Sequence, residues 1–337
     1  MTMTGETAAP VLEVTDLTLR RVGSDNPARL VQGVSFDVKQ GECLALIGES
    51  GCGKTLTSMA ILGLPPKAIG VDGGSVRLQG EELLGYSQRQ YGRIRGLKMG
   101  AIFQDPMSSL DPTMKIGDQI AESRRIYLGE SRRDALRTAV DLLDRVGIAD
   151  AKNRLNSFPF ELSGGMQQRV MIAAAIACDP AILIADEPTT ALDVTVQEGI
   201  LDLLRTLQAD LGLSVLLVTH DLGVVADFSD RVAVMYAGQV VERGTTKELL
   251  DQPTHPYTKS LLASVAQLGT SHTVLPTIPG RVPSADEMPT GCRFMARCPY
   301  AEPDRCSLPQ SEIPLGAGRT CRCIRVHEIN QLEVVAR

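Results

Sequence analysis

The sequence lacks three features that would assign it to common functional classes. It has no basic excess, because 34 lysine and arginine residues stand against 40 aspartate and glutamate residues and give a net charge of −6 at pH 7. Dedicated nucleic-acid binders usually carry surplus positive charge. Its most apolar run, residues 171–178 (MIAAAIAC), is far shorter than the roughly 18 residues of a membrane span. The opening MTMTGETAAP shows no charged-then-apolar signal pattern. We therefore expect a cytosolic protein that binds no nucleic acid and reaches a membrane only through partners.

A glycine-rich loop is the strongest motif that is present. Residues 48–55 read GESGCGKT and match the phosphate-binding pattern G-x-x-x-x-G-K-[ST] at every fixed position. The apolar run ECLALI before the loop predicts a buried strand, and TLTSMAIL after it predicts a helix. Such a turn directs backbone N–H groups and a helix dipole at one phosphate. We expect nucleotide contacts from Gly48, Ser50, Gly51, Cys52, Gly53, Lys54, Thr55 and Leu56, with Lys54 reaching the β- and γ-phosphates and Thr55 binding Mg²⁺.

Polar side chains follow three further apolar runs that read as strands of the same parallel sheet. Asp186 and Glu187 follow AILIA, His220 follows SVLLVT, and Gln104 ends MGAIFQ. The carboxyl ends of parallel strands lie at one edge of the sheet, where a phosphate loop also lies. We expect Asp186 to hold Mg²⁺, Glu187 to polarise the attacking water and His220 to contact the γ-phosphate. Gln104 either reaches the metal or simply ends its strand.

A second glycine pair suggests a second anion site. Residues 162–169 read LSGGMQQR, in which Ser163 is a plausible N-cap and Gly164 and Gly165 expose the first N–H groups of a helix that runs through Cys178. One nucleotide does not need two separated cradles. The stretch is either an ordinary capped helix or a cradle, including Gln167, for a nucleotide that another subunit holds.

The remaining elements frame these motifs. Alternating residues predict strands over 11–20, 34–38 and 75–79, and a hairpin pairs 231–236 with 239–242. Residues 105–162 predict a helical insertion with helices over 116–128 and 135–146, and a helix over 258–265 closes the main domain. Five cysteines crowd the last part of the chain, in a compact but irregular tail: Cys292, Cys298, Cys306, Cys321 and Cys323. In a reducing compartment such a cluster favours a metal over disulfides.

These motifs, in this order, resemble the ATPase subunit of an ABC transporter. The Walker A loop is GESGCGKT, the Q-loop IFQDP, the signature LSGGMQQR, Walker B AILIADEP, the D-loop ALD and the switch LLVTHD. The resemblance covers about residues 11–265. It implies an α/β P-loop NTPase with a RecA-like core, an antiparallel β subdomain and a helical subdomain at about 105–162. It divides the chain into an ATPase domain (8–270) and a cysteine-rich extension (271–337).

The residues around these motifs resemble those of the dipeptide, oligopeptide and nickel import family. Within that family they resemble the D-type ATPase. IFQDPMSSLDP, HPYTKSLLASV and GCRFMARCPYAEPDRC carry this resemblance. It implies a peripheral subunit on the cytoplasmic face of a bacterial or archaeal inner membrane. It also implies a second ATPase subunit (a heterodimer, or a homodimer), two permease subunits and, indirectly, an extracytoplasmic substrate-binding protein. A nickel or other small-solute importer, and a non-transport ABC ATPase for DNA repair or translation, remain alternatives.

The resemblance implies that Gln104 binds Mg²⁺ together with Thr55 and Asp186, and that residues 163–165 close over the ATP of an opposing subunit. Two further expectations follow from it. Arg21 occupies the position at which many relatives place an aromatic residue against adenine, and a guanidinium plane can also stack on a base. Cys292, Cys298, Cys306 and Cys323 fit the family's cysteine layout, with Cys321 as a rival for the last place. Four thiolates suit a structural [4Fe–4S] cluster or Zn²⁺, and free thiols are a third option.

Overall fold

The computed structural model describes residues 9–23, 28–190, 193–265, 278–316 and 318–335. The strands are β1 (Leu12–Arg21), β2 (Arg29–Val38), β3 (Cys43–Ile47), β4 (Ile69–Leu78), β5 (Glu81–Glu82), β6 (Met99–Ile102), β7 (Ile182–Asp186), β8 (Ser214–Thr219), β9 (Arg231–Tyr236), β10 (Gln239–Thr245), β11 (Ile313–Gly316) and β12 (Arg319–Cys321). The helices are α1 (Lys54–Ile61), α2 (Gln88–Leu97), α3 (Pro106–Ser109), α4 (Ile116–Ser123), α5 (Arg132–Arg145), α6 (Ala151–Arg154), α7 (Gly164–Ala175), α8 (Val194–Leu211), α9 (Leu222–Phe228), α10 (Thr246–Asp251), α11 (Pro256–Val265), α12 (Pro303–Cys306) and α13 (Val326–Val335).

Five parallel strands, in the order β9-β3-β8-β7-β6, form the centre of the larger sheet among the described residues. Within the described ranges its order is β11-β12-β10-β9-β3-β8-β7-β6, and β3 pairs in parallel with both β8 and β9. Every residue of β3, β7 and β8 is buried, as expected for strands covered on both faces. This confirms the predicted parallel sheet and brings the carboxyl ends of β3, β7 and β8 to one edge.

A smaller antiparallel sheet covers one face of this core. Its order among the described strands is β2-β1-β4-β5. Side chains of β1 and β2, such as Leu12, Leu17 and Phe36, pack in one apolar cluster with Leu46 and Leu216 of the parallel strands. The strand predicted over 75–79 begins earlier, at Ile69. The glycine pair Gly73 and Gly74, expected to precede the strand, lies inside it.

The helical insertion packs on the opposite face. Ile116 and Leu143 of the insertion share an apolar cluster with Ile172 of α7 and with Leu183 and Leu217 of the sheet. The helix predicted over 116–128 is two pieces, since α4 ends at Ser123 and a π-helical turn covers Arg124–Leu128.

The other bounds of predicted helices also shift. The helix predicted over 135–146 starts earlier, where Ser131 accepts a hydrogen bond from the Asp134 backbone as an N-cap. The helix predicted to run through Cys178 ends at Ala175. No described helix is long and apolar enough to cross a bilayer.

The tail is more regular than predicted. Strand β12 pairs with β10 through Glu242 opposite Cys321, and β11 pairs with β12, so the tail adds two strands to the main sheet. The predicted boundary at residue 270 lies outside the described residues, and the division into two domains stays a prediction.

A buried carboxylate fixes this junction. Glu242 is fully buried and accepts hydrogen bonds from the Thr254 hydroxyl at 2.6 Å, the His255 backbone N–H at 2.9 Å and Arg319 at 2.9 Å. The junction is therefore held by charge-assisted bonds from two segments.

His255 beside this carboxylate should make stability depend on pH. Burial lowers the pKa of His255 to about 4, although the Glu242 carboxylate and a hydrogen bond to the Arg322 backbone act in the opposite direction. In the unfolded chain this histidine binds a proton near pH 6.5, whereas in the native chain it does so only near pH 4. The free energy of unfolding therefore decreases as the pH is lowered from about 6.5 to about 4. We expect the free energy of unfolding to fall by about 2 kcal/mol more between pH 7 and pH 5 in the wild type than in His255→Gln.

Urea unfolding at pH 7 and pH 5 gives the change in the free energy of unfolding for each protein. Comparing these two changes cancels any stability that the substitution itself costs at pH 7. Equal losses in the two proteins would contradict the assignment to His255.

Candidate functional site

The glycine-rich loop joins β3 to α1 at the carboxyl edge of the sheet. Gly48 has a φ of 150°, and a Cβ there would lie 2.1 Å from the Met235 carbonyl oxygen, so no other residue fits. Gly51 has a φ of 78° and open space around its missing Cβ. The loop therefore presents bare backbone to a ligand, as the sequence predicts.

Lys54 lies under this loop and is 6% exposed. Its Nζ donates to the carbonyl oxygens of Gly48 at 2.7 Å and Glu49 at 3.2 Å. A buried ammonium whose closest described partners are neutral carbonyl oxygens is well placed to exchange them for phosphate oxygens.

Asp186 lies directly beside the start of α1. Its carboxylate accepts hydrogen bonds from the Thr55 hydroxyl at 3.4 Å and the Ser58 hydroxyl at 3.2 Å. Burial raises the pKa of Asp186, the two hydroxyls lower it, and the neighbouring Glu187 raises it further. A hydroxyl and a buried carboxylate at this position are the ligand types that Mg²⁺ prefers beside a phosphate loop.

Glu187 contacts two other predicted polar side chains, Gln104 and His220. It accepts a hydrogen bond from Gln104 Nε2 at 3.0 Å, and its other oxygen lies 3.0 Å from His220 Nδ1. Thr190 donates to it at 2.9 Å. Its φ of 49° places a non-glycine residue in the left-handed region, where backbone strain often marks a functional site.

These residues surround one cleft of about 680 Å³. Most of the predicted nucleotide and catalytic residues line it: Gly48, Ser50, Gly51, Gly53, Lys54, Thr55, Leu56, Gln104, Glu187 and His220. The Cys52 thiol is buried beneath the loop instead, 3.9 Å from Lys54 Nζ. Arg21 forms an ion pair with Asp286 at 3.5 Å. Gln104 contacts Glu187 rather than Asp186, so the described contacts place it beside the predicted catalytic carboxylate.

The signature residues lie at the start of α7. Ser163 caps this helix by accepting a hydrogen bond from the Met166 backbone at 3.4 Å. Ser163 and Gly164 are exposed, and a Cβ on Gly164 would meet nothing within 4 Å. As far as the chain is described, the cleft is lined without any signature residue. The D-loop residues Ala191 and Leu192 lie outside the described residues.

Four tail cysteines share a small apolar cavity of about 10 Å³. Cys292, Cys298, Cys306 and Cys323 line it together with His255. Cys321 is fully buried elsewhere, next to Glu242 and Thr254. Within the described ranges, no group of three or more His, Cys, Asp or Glu side chains has a geometry that could hold a metal ion. The predicted metal centre is thus unsupported, although its four proposed ligands lie around one cavity and the rival cysteine does not.

Sequence reasoning missed several residues of the cleft and one hydroxyl beside Asp186. Thr190 lies just after Walker B, and Leu261 and Ser264 come from α11, which is distant in sequence. Ser58 is the second hydroxyl on Asp186, and its position one helical turn after Lys54 was the available signal.

The comparisons with known proteins agree with this geometry. A family model described as ABC transporter matches residues 31–190, and one described as oligopeptide/dipeptide transporter, C-terminal region, matches residues 241–306. A Brucella abortus protein, provisionally named a peptide import ATP-binding protein, is 46% identical over 315 residues and spans 94% of this chain and 95% of its own. This chain belongs to the ABC transporter ATPase family.

Relatives and solved structures support the same assignment of this ABC ATPase. A Brucella melitensis protein with the same provisional name is 48% identical over 89% of this chain and 92% of its own. The dimeric structure of the bacterial ABC transporter cassette MJ0796 is 27% identical, with a TM-score of 0.62 over 70% of this chain and 98% of the cassette. The cbiO1 structure from Clostridium perfringens, part of the complex cbiONQ, is 28% identical, with a TM-score of 0.61 over 72% of this chain and 91% of its own. The predicted ATPase cassette fold and ATPase class are therefore confirmed.

Proposed function

We propose that this ABC ATPase powers a membrane importer of di- or oligopeptides. The observation that carries the proposal is the single cleft that joins Lys54, Glu187 and His220 in a chain whose tail matches the oligopeptide/dipeptide transporter region. The relatives named for peptide import support this cargo class over nickel or another small solute.

The chain's own residues suggest how hydrolysis proceeds. Lys54 exchanges the carbonyl oxygens of Gly48 and Glu49 for the β- and γ-phosphates of ATP. Thr55 and Asp186 hold Mg²⁺, which when bound neutralises phosphate charge. Glu187 orients the attacking water, Gln104 and His220 hold its carboxylate in place, and His220 contacts the γ-phosphate. Positioning and charge stabilisation supply most of the rate enhancement.

A second ATPase subunit completes each site. Ser163 and Gly164 are exposed and lie outside the cleft of their own chain, which suits a contact with the nucleotide of a partner. Solved relatives of this fold include a dimeric cassette. We propose that the pair sits on two permease subunits at the cytoplasmic face of the membrane and that an extracytoplasmic binding protein delivers the peptide. The insertion at about 105–162 docks on the permease, and Gln104 links it to the cleft.

The four tail cysteines supply a second part of the proposal. Cys292, Cys298, Cys306 and Cys323 surround one cavity, and four thiolates are the donor set of a [4Fe–4S] cluster or of Zn²⁺. We favour an iron–sulfur cluster over Zn²⁺ and over free thiols, and its role would be structural because ATP hydrolysis includes no redox step. Iron and sulfide analysis and the visible spectrum of anaerobically purified protein test this choice. Stoichiometric zinc in colourless protein, or no metal at all, would contradict it.

Reconstitution tests the transport function. The chain is co-expressed and purified with the products of its neighbouring reading frames, and ATPase activity is measured in vesicles with the proposed permease, second ATPase and binding protein. We expect short peptides to stimulate hydrolysis and Lys54→Ala to abolish it. Stimulation by Ni²⁺ alone would favour the nickel alternative, and stimulation by DNA without a permease would favour a non-transport ATPase.

A further inference from the structure

Glu49, the second residue of the phosphate loop, is held from three sides. Its backbone N–H donates to the Tyr257 hydroxyl at 2.9 Å, and its carbonyl accepts from Lys54 at 3.2 Å. Its carboxylate accepts two hydrogen bonds from Arg297, at 2.7 Å from Nη1 and 3.0 Å from Nη2. The side chain of a loop residue is thus fixed by a residue almost 250 positions away.

Arg297 is built into this contact and is not a mobile surface side chain. It is 6% exposed at its side chain, whereas Glu49 is 27% exposed. Its Nε donates to the Pro279 carbonyl at 2.8 Å and its Nη2 to the Ile278 carbonyl at 3.2 Å. Its guanidinium also lies 5.7 Å from the centre of the Tyr236 ring. A bidentate guanidinium with these additional partners fixes both the position and the direction of the carboxylate.

The backbone of Arg297 belongs to the cysteine-rich segment. It ends the short 3₁₀ turn Met295–Arg297, which lies between Cys292 and Cys298. The Met295 N–H donates to the Cys292 carbonyl at 3.1 Å, and the Cys298 N–H donates to the Met295 carbonyl at 3.2 Å. Both cysteines line the thiol cavity, so the turn that carries Arg297 is anchored there at each end.

We propose that Arg297 is a positioning residue of the ATP site, which holds the phosphate loop in its binding geometry through Glu49. The inference rests on the proposed role of this loop in nucleotide binding. When Lys54 turns from the loop carbonyls to the phosphates, the Glu49 carbonyl keeps the Cys52 N–H of its own loop at 3.2 Å, and Arg297 and Tyr257 still hold Glu49 from outside the loop. Without Arg297 the nucleotide must order the loop as it binds, and this ordering reduces affinity. The C-terminal segment therefore acts on the ATP site of its own chain.

Nucleotide affinity tests the proposal. We expect Arg297→Gln to weaken binding of a fluorescent ATP analogue to the full chain about tenfold, equivalent to ~1.4 kcal/mol. In the assembled transporter, KM for ATP should rise while kcat changes little, because the loss is one of binding and not of transition-state contact. The matched control is Arg305→Gln, which removes a tail ion pair with Glu328 at 2.7 Å that does not reach the loop. A general loss of tail packing would affect both variants, and an equal effect would overturn the proposal.

Two further variants complete the design. Glu49→Gln leaves the carbonyl contacts of Arg297 in place, and we expect it to weaken binding to the same extent; unchanged affinity would overturn the proposal even if Arg297→Gln did not fold. The double variant should lose no more than either single variant, since both remove one contact. Lys54→Ala separates the positioning role of Arg297 from the proposed ATP site. If Lys54→Ala abolishes ATP binding and Arg297→Gln leaves it unaltered, only the positioning role is wrong. If Lys54→Ala also binds ATP normally, the proposed ATP site is wrong.

Discussion

Glu187→Gln should bind ATP normally and lose most of its turnover. The amide keeps the shape of the carboxylate and can still bond to Gln104 and His220, both 3.0 Å away. It cannot accept a proton from the attacking water, and such proton transfer contributes on the order of 10²- to 10⁴-fold to a rate. We expect kcat of the assembled transporter to fall within this range while the dissociation constant for ATP stays within about twofold.

The matched control for this variant is Glu198→Gln. Glu198 is an exposed carboxylate on α8, the helix that follows Walker B, and it lies outside the cleft. Its removal changes the charge equally and should leave kcat unaltered. Wild-type turnover in Glu187→Gln would contradict the proposed role of Glu187 in hydrolysis. Loss of ATP binding in this variant would show that Glu187 contributes to binding the nucleotide and not only to the hydrolysis step.

Gly164→Asp should leave the isolated chain intact and inactivate the assembled pair. A Cβ on Gly164 meets nothing within 4 Å in its own chain, so the new side chain is tolerated there. Across a subunit boundary, the same carboxylate would face the γ-phosphate of the partner and remove the favourable field of the helix N-terminus. We expect ATPase activity of the complex to fall by about 10²-fold, with nucleotide affinity of the isolated chain unaltered.

Ser131→Asp provides the comparison for that result. Ser131 is an exposed N-cap of α5 in the helical insertion, and aspartate is also a good N-cap. It should be silent in both assays. A Gly164→Asp chain that no longer binds nucleotide by itself, or a complex that hydrolyses ATP at the wild-type rate, would refute a contact across the subunit boundary.

The core of the fold and of the candidate site follows from local sequence patterns. Strands β3, β7 and β8 are continuous apolar runs, and each ends in a polar residue or loop that the parallel sheet brings to one edge. The approach of Thr55 to Asp186 and of His220 to Glu187 could therefore be anticipated from strand ends.

The remaining features depend on contacts distant in sequence. The Arg297–Glu49 pair joins positions that no local period relates, and the strands of the tail are too short to give an alternating pattern. The position of Gln104 at the cleft could be predicted from the end of its strand. Its hydrogen bond to Glu187 instead of Asp186 depends on side-chain geometry, which the sequence pattern does not specify. The π-helical turn after α4 likewise breaks a helix whose spacing looked continuous.

The pairing of β12 with β10 has a consequence for biosynthesis. Strand β10 leaves the ribosome well before its neighbour Arg319–Cys321, because α10, α11 and α12 lie between the two strands in the sequence. Until then β10 presents an open edge, and the Glu242 carboxylate lacks Arg319 as a partner. The nascent ATPase can therefore cover this edge of its central sheet only after the residues of β12 have been synthesised. A premature stop codon that spares every nucleotide motif should still leave an aggregation-prone product.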